Sequence, residues 1–273
     1  MKNVIALRSY GDYVILLNSI KNVSNINITV YASKHLEALH NAIYKQAISN
    51  INFVFLDLGV KNGIFPFFTN IHFFSIANLR SIMALKKAFK NINDNFSDYY
   101  LEQKKRTILF NLLTFNSFKY IHNSNNNIYE SYQLFFESKN NIVDSQIPKN
   151  NLNVVIFPDS RKKEKEIAHN IINKISKSCN HKIKIAKFGN NNTQGESIII
   201  YENFIQLIQI IKDADFIISS DSLPAHLANY LNKPHWVIYN NTINNEWLTP
   251  YCISKNTYCL STSIKQLTEI LKN

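Results

Sequence analysis

The sequence predicts an α/β protein built of two halves, each a parallel sheet with crossover helices. Three observations predict it. Short apolar runs alternate with helical patterns along most of the 273 residues, which is the mark of strand–helix–strand units. The alternation stops near 140–152, at the polar, proline-bearing stretch Lys139-Asn-Asn-Ile-Val-Asp-Ser-Gln-Ile-Pro-Lys-Asn-Asn151, and then restarts. Near the C-terminus the bulky run Phe216-Ile-Ile218 ends in Ser-Ser-Asp, and a proline-started amphipathic helix follows at once. Two Rossmann-like halves, 1–145 and 146–273, with parallel sheets facing a central cleft are the expected architecture. No shorter internal repeat is visible.

In the first half, Val4–Leu7 reads as a strand, followed by a loop Arg8–Asp12 and a helix from Tyr13 through Ile20. Ile28–Tyr31 is a second strand. Lys34–Ile48 is a helix with Leu36, Leu39, Ile43 and Ala47 on one face. Phe53–Leu56 and Ile71–Phe74 are further strands, Leu79–Phe89 a helix, and 128–138 another. The segment 90–128 has no clear period. Lys86, Lys87, Lys90, Lys104, Lys105 and Arg106 lie in or beside it among Phe, Tyr and Leu. In the second half the expected strands are Val154–Phe157, Ile183–Lys187, Ile198–Tyr201, Phe216–Ser219 and Trp236–Tyr239. The expected helices are Glu164–Lys177, Phe204–Lys212, Pro224–Leu231 and Ile264–Leu271, with a loop from Gly189.

Composition narrows the function. A hydrophobic content of 45% suffices for real cores, and no run of about eighteen apolar residues is present to span a membrane. Arg8 and Asp12 interrupt the N-terminal apolar run too early for a secretion signal. Three cysteines, Cys179, Cys252 and Cys259, form no CxxC pair. A reduced cytoplasmic setting without structural zinc is expected, and no metal or cofactor is implied. The net charge of +11 points to an anionic partner: nucleic acid, an anionic membrane face or a phosphorylated substrate. Part of the excess lysine fits an Asn-, Ile- and Lys-rich composition of the kind AT-rich coding produces. No arginine-rich or aromatic-glycine signature supports nucleic acid.

The candidate chemistry clusters at strand ends. The turn Ser220-Asp221-Ser222-Leu223 lies where a strand gives way to a helix, and Pro224 suits the first turn because its missing N–H needs no partner. Free N–H groups of such a helix start hold anions, phosphates above all. Asp221 and Ser222 can cap the same helix, a reading compatible with ligand binding. Ala225 and His226 follow in its first turn, with His226 placed to donate to a phosphate or sugar oxygen. Pro158-Asp-Ser-Arg-Lys-Lys-Glu-Lys165 follows the first strand of the second half. Ser160, Arg161, Lys162 and Lys165 would overhang the same edge and clamp a diphosphate. Cations near a helix start oppose its dipole, which itself hints at a bound anion. In the first half Gly11-Asp12 follows the opening strand. Gly11 allows a positive-φ turn or close approach of a ligand. Asp12 is either the cap of the helix Tyr13–Ile20 or a carboxylate able to take a proton from a hydroxyl. Asp213-Ala-Asp215 resembles a DxD metal motif but stands at a helix-to-strand joint, so it reads as turn and cap. His35 and His40 lack metalloprotease spacing and are expected on a helix surface.

At this point the chain resembles a known family. Ala214-Asp-Phe-Ile-Ile-Ser-Ser-Asp-Ser-Leu-Pro-Ala-His-Leu-Ala228 and Asn232-Lys-Pro-His-Trp-Val-Ile-Tyr239 are similar to the D-T-G-P-x-H-x-A…G-K-P signature of heptosyltransferase-like, family 9 glycosyltransferases. Ile5-Ala-Leu-Arg-Ser-Tyr-Gly-Asp12 is similar to that family's opening strand and R-x-x-x-G-D loop. Tyr129–Glu137 and Val155-Ile-Phe-Pro158 sit where it has a crossover helix and a strand ending in proline. The clear match covers about a fifth of the chain. The resemblance implies a two-domain GT-B fold with an acceptor-side first half, a donor-binding second half, and metal-independent, inverting transfer from a sugar-diphosphate donor. By position, Asp12 matches the family's general base, Asp221, Ser222 and the backbone to His226 its donor site, and the 160–165 cations its phosphate-binding lysine. The implied acceptor is a glycan or lipid-linked glycan of lipopolysaccharide, O-antigen or capsule. The implied place is the cytoplasm, with a basic first half docking on the anionic inner face of the membrane.

Three departures qualify this. Leu223 stands where the family has glycine, no glutamate closely follows Gly189 (Glu196 is a poor substitute), and little chain follows Pro250. All lie on the nucleotide side, so the expected donor differs from ADP-heptose, phosphoribosyl diphosphate being one small alternative. A non-catalytic GT-B binding subunit and a sugar-nucleotide epimerase are the rival readings.

Overall fold

The computed structural model describes residues 2–6, 9–44, 50–57, 99–101, 119–121, 126–138, 151–189 and 197–272. Its contacts divide into two compact units, Met1–Lys139 and Asn140–Asn273.

The first unit carries a sheet of five described strands: β1 (Lys2–Ala6), β2 (Ile28–Ser33), β3 (Ile51–Leu56), β4 (Tyr99–Leu101) and β5 (Lys119–Tyr120). Their order is β3-β2-β1-β4-β5, and every pairing is parallel. Connections run outward from β1 in both directions, so the order reverses between β1 and β4. Helix α1 (Tyr10–Ile20) is buried continuously from Tyr13 to Ile20, as expected of a helix apolar on all sides. α2 (Glu37–Ile43) follows a 3-10 turn at Lys34–Leu36, and α3 (Ile128–Phe136) packs against α1. The expected strand Ile71–Phe74 and helix Leu79–Phe89 lie outside the described residues, as do Leu7 and Arg8.

Two expectations change here. His40 is not on a surface: it is 8% exposed, its Nδ1 lies 2.8 Å from the Tyr13 hydroxyl, and Tyr44, Phe53 and Phe55 surround its ring. Burial lowers its pKa to about 4, so it is neutral. Strands β4 and β5 fall in the segment that showed no period. They are too short to impose one.

The second unit holds β6 (Asn153–Phe157), β7 (Lys182–Phe188), β8 (Ile198–Tyr201), β9 (Phe216–Ser220), β10 (His235–Tyr239) and β11 (Tyr258–Leu260). The order β11-β10-β9-β6-β7-β8 is parallel throughout and is the doubly wound arrangement with its reversal between β6 and β9. Helices α4 (His169–Ser178), α5 (Phe204–Asp213), α6 (Leu223–Tyr230), α7 (Pro250–Lys255) and α8 (Lys265–Ile270) connect or follow the strands. A core of Val154, Ile156, Phe216, Ile218, Trp236 and Ile238 packs with Ile171, Ile172, Ile175 and Leu267. Strands buried on both faces read as unbroken apolar runs, which is why Phe216–Ile218 was legible. Asp213-Ala-Asp215 is a structural turn: Asp215 accepts from the Asn153 N–H at 2.9 Å and the Asp213 carbonyl accepts from Asn153 Nδ2 at 2.9 Å. α7 and β11 were not expected. Thr249 caps α7 by accepting from the Cys252 N–H at 3.2 Å, and Pro250 opens it.

Candidate functional site

The reversal between β6 and β9 brings two loops together, one from each strand's carboxyl end. The first runs from Pro158 to Ala168. It is not the start of an α-helix: Lys163–Lys165 form a single 3-10 turn and α4 begins only at His169. The expected helix start at Glu164 is therefore corrected, and with it goes the hint of a bound anion drawn from cations set against a helix dipole. The loop is tied down instead. The Ile167 N–H donates to the Pro158 carbonyl at 2.9 Å. Asn240, just beyond β10, donates to the carbonyls of Glu164 at 2.9 Å and Glu166 at 2.8 Å. Asn240 was not anticipated, since its partners are some 74 residues away.

The second loop is Ser220–Ser222. Ser222 is the cap position of α6, extended at φ −152 and ψ −179, but its side chain makes no cap hydrogen bond. Its hydroxyl is engaged with Ser220, whose Oγ lies 3.0 Å away. The Leu223 N–H, first in the helix, has no acceptor within the helix by geometry. A helix start whose cap hydroxyl is turned elsewhere keeps its dipole available to an anion. Pro224 occupies the first turn as expected.

Lys165 joins the loops. Its ammonium pairs with Asp221 Oδ2 at 2.5 Å, the carboxylate being 7% and the lysine 37% exposed. Ser220 Oγ adds a 3.4 Å hydrogen bond to the Asp159 carbonyl. The other expected cations are placed differently: Lys162 reaches Glu164 at 3.7 Å, and Arg161 is exposed. Ser160 Oγ accepts from the Lys162 N–H at 3.4 Å. Ala225 and His226 are buried in the first turn of α6. Lys165, Ser220, Asp221, Ser222 and the opening of α6 thus share one edge, with Ser160 beside them.

At the amino end of β10 lies a buried polar chain that sequence reading missed. His235, fully enclosed, has Nδ1 2.8 Å from the Lys233 carbonyl and Nε2 2.7 Å from Thr249 Oγ1, and stacks on Tyr251 with ring centroids 4.8 Å apart. The consistent assignment is a neutral ring with Nδ1–H donating to Lys233 and Nε2 accepting from the Thr249 hydroxyl. Burial is the main cause of a pKa lowered to about 4, and the charge of nearby His226 adds to it.

In the first unit, Asp12 occupies the first turn of α1, directly after β1 and at that sheet's own reversal. It is not the cap, because Ser9 is, and the helix starts three residues earlier than expected. A carboxylate in the first turn is favoured by the dipole. Gly11 lies inside the helix, so it does not serve a positive-φ turn. Among the described residues, no group of three or more His, Cys, Asp or Glu could hold a metal ion.

Residues 142–271 match the family described as glycosyltransferase family 9 (heptosyltransferase). The second half of this chain is similar to that family. A search of curated proteins finds no significant match. Among solved structures, E. coli heptosyltransferase WaaC with ADP aligns over 98% of this chain and 99% of its own, at 13% identity and TM-score 0.59. E. coli ADP-heptose LPS heptosyltransferase II aligns over 95% and 90%, at 12% and 0.54. The family 9 glycosyltransferase of Veillonella parvula aligns over 95% and 86%, at 13% and 0.60. At these identities the likeness is one of fold. The chain has the α/β, parallel-sheet fold of these heptosyltransferase-like, GT-B enzymes in both units, and the family match falls on the half that contains the β6–β9 edge.

Proposed function

We propose that the chain is a glycosyltransferase that moves a sugar from a sugar-diphosphate donor to a bacterial surface glycan, with inversion and without a metal. The acceptor would be lipopolysaccharide, O-antigen or capsule, reached by a basic first half resting on the inner face of the membrane. No helix among the described residues is long and apolar enough to cross one. The observation that carries the reading is the Lys165–Asp221 pair, which spans the sheet reversal beside an uncapped helix start. It supplies a cation, amide donors and a sugar-binding carboxylate at one edge.

In this reading the diphosphate lies against the Ser222–Leu223 backbone and Lys165, with Arg161 and Lys162 adding field from the rim. Asp221 and His226 hold the sugar and the phosphate oxygens. Asp12 takes the proton of the acceptor hydroxyl, whose oxygen attacks the anomeric carbon. The bond to the diphosphate breaks, and the leaving charge is met by the cations and amides already in place. Lys165 would leave Asp221 for the phosphate as the donor enters.

The test combines calorimetry with a transfer assay. Asp12→Asn should abolish transfer while donor affinity stays within about twofold, since general-base catalysis contributes roughly 10²–10⁴-fold. Asp221→Ala or His226→Ala should weaken donor binding. Wild-type transfer by Asp12→Asn would remove the base assignment. Donor binding without transfer to any glycan would favour a binding subunit, and acceptor-free change of the sugar nucleotide an epimerase.

A further inference from the structure

Lys165 is the cation that meets Asp221, yet its own stretch of chain does little to fix where it stands. Between β6 and α4 the chain holds the one 3-10 turn Lys163–Lys165 and no other regular element. A single turn of that kind is a weak device, so the lysine's position has to be set from outside. Sheet order shows from where. β9 lies between β6 and β10. A loop that leaves β6 and is fastened at the end of β10 must therefore cross the carboxyl end of β9, over the Ser220–Ser222 turn. Asn240, immediately beyond β10, does the fastening. Its one amide nitrogen donates to the carbonyls of Glu164 at 2.9 Å and Glu166 at 2.8 Å, the residues on either side of Lys165. A primary amide carries two N–H hydrogens and can serve both carbonyls at once, whereas a hydroxyl has only one to give.

The anchor is itself held. Ser261, just beyond β11, donates through its N–H to the Tyr239 carbonyl at 2.7 Å and through its hydroxyl to the Asn240 carbonyl at 3.5 Å. Within the loop, the Lys165 N–H donates to the Lys162 carbonyl at 2.9 Å and the Ile167 N–H to the Pro158 carbonyl at 2.9 Å. The backbone around Lys165 is thus bonded on both sides, while its side chain remains 37% exposed. A fixed base with a movable tip lets the ammonium swing from Asp221 to an arriving phosphate while the loop stays still.

We propose that Asn240 is a positioning residue of the anion site, acting through Lys165. It holds the loop across the end of β9 so that the lysine stands over the start of α6 before any ligand arrives. This rests on the diphosphate reading above and adds a third strand end, that of β10, to the site. A loop already in place spares binding the entropy of ordering it.

Calorimetry with ADP on the full chain, run as a double-mutant cycle, tests this. Lys165→Met should weaken ADP by about tenfold or more, the scale of one hydrogen bond to a charged group. Asn240→Ala should weaken it by about fivefold or more in the otherwise unaltered chain, but by less than about twofold in the Lys165→Met background, because the two residues act as one unit. Equal losses in both backgrounds would overturn the proposal, since Asn240 would then act on the fold and not through the lysine. An ADP affinity unchanged by Asn240→Ala would overturn it as well. Hydrogen exchange on the unaltered chain adds a check that needs no variant. The Lys165 and Ile167 amides should be protected before ADP is added and change less than about twofold afterwards. Marked slowing on addition would mean that the ligand orders the loop, which also overturns the proposal. Failure of the unaltered chain to bind ADP overturns the donor reading itself, and the role of Asn240 with it.

Discussion

Replacing Lys165 with methionine should destabilise the second unit more than replacing Asp221 with asparagine, although the two side chains share one ion pair. The asymmetry follows from exposure. Asp221 is 7% exposed and Lys165 37%. Removing the lysine's charge strands a carboxylate that water barely reaches. Breaking a buried pair in this way costs about 3–5 kcal/mol, and the small residual exposure of Asp221 places the change near the lower figure, about 3 kcal/mol. Removing the aspartate's charge leaves an ammonium that can turn to solvent and still donate to the asparagine oxygen. That costs about 1 kcal/mol, as for exposed pairs. In urea denaturation followed at equilibrium, the midpoint should therefore fall about three times further for Lys165→Met than for Asp221→Asn. The double variant should regain most of the loss, with a coupling of about 1–3 kcal/mol. Equal losses in the single variants, or simple additivity in the double, would refute the reasoning, because the pair would then be a surface contact with no buried member.

Acid should unfold the second unit earlier than surface chemistry alone would dictate. His235 has a folded pKa of about 4 against an ordinary 6.5, so the unfolded chain takes up the proton first. Stability is full above about pH 6.5 and is lost as pH falls toward 4, by roughly 3 kcal/mol in all. Denaturation midpoints read from the fluorescence of buried Trp236 should show this slope, and His235→Asn should flatten it. Gly189→Ala should cost about 1 kcal/mol through its left-handed backbone alone, since open space surrounds the new methyl. A loss several times larger in thermal unfolding would mean that the turn is packed.

The strands of the second unit were legible because strands covered on both faces must be apolar residue after residue. Phe216–Ile218 and Trp236–Tyr239 carry that pattern without interruption. The Ser-Ser-Asp-Ser turn was legible for a related reason, as polar residues between a buried strand and a helix must lie at an edge. What failed was local in reading and distant in cause. The stretch from Glu164 looks helical in isolation, yet Asn240 holds the carbonyls of Glu164 and Glu166, and Glu166 is extended at φ −65 and ψ 139. His40 looked like a surface residue until Phe53 and Phe55 of β3 closed over it. Of the two readings left open for Asp12, cap or proton acceptor, the cap falls because Ser9 already holds that position. α7 was within reach: Thr249-Pro250 is a cap followed by a first-turn proline.

The central claim is that a diphosphate binds where β6 and β9 part. A crystal structure of the chain with a nucleoside diphosphate tests it most directly. The account predicts the phosphates against the Ser222 and Leu223 amides, with Lys165 Nζ turned from Asp221 onto a phosphate oxygen. A ligand bound anywhere else, with Lys165 still on Asp221, would contradict it.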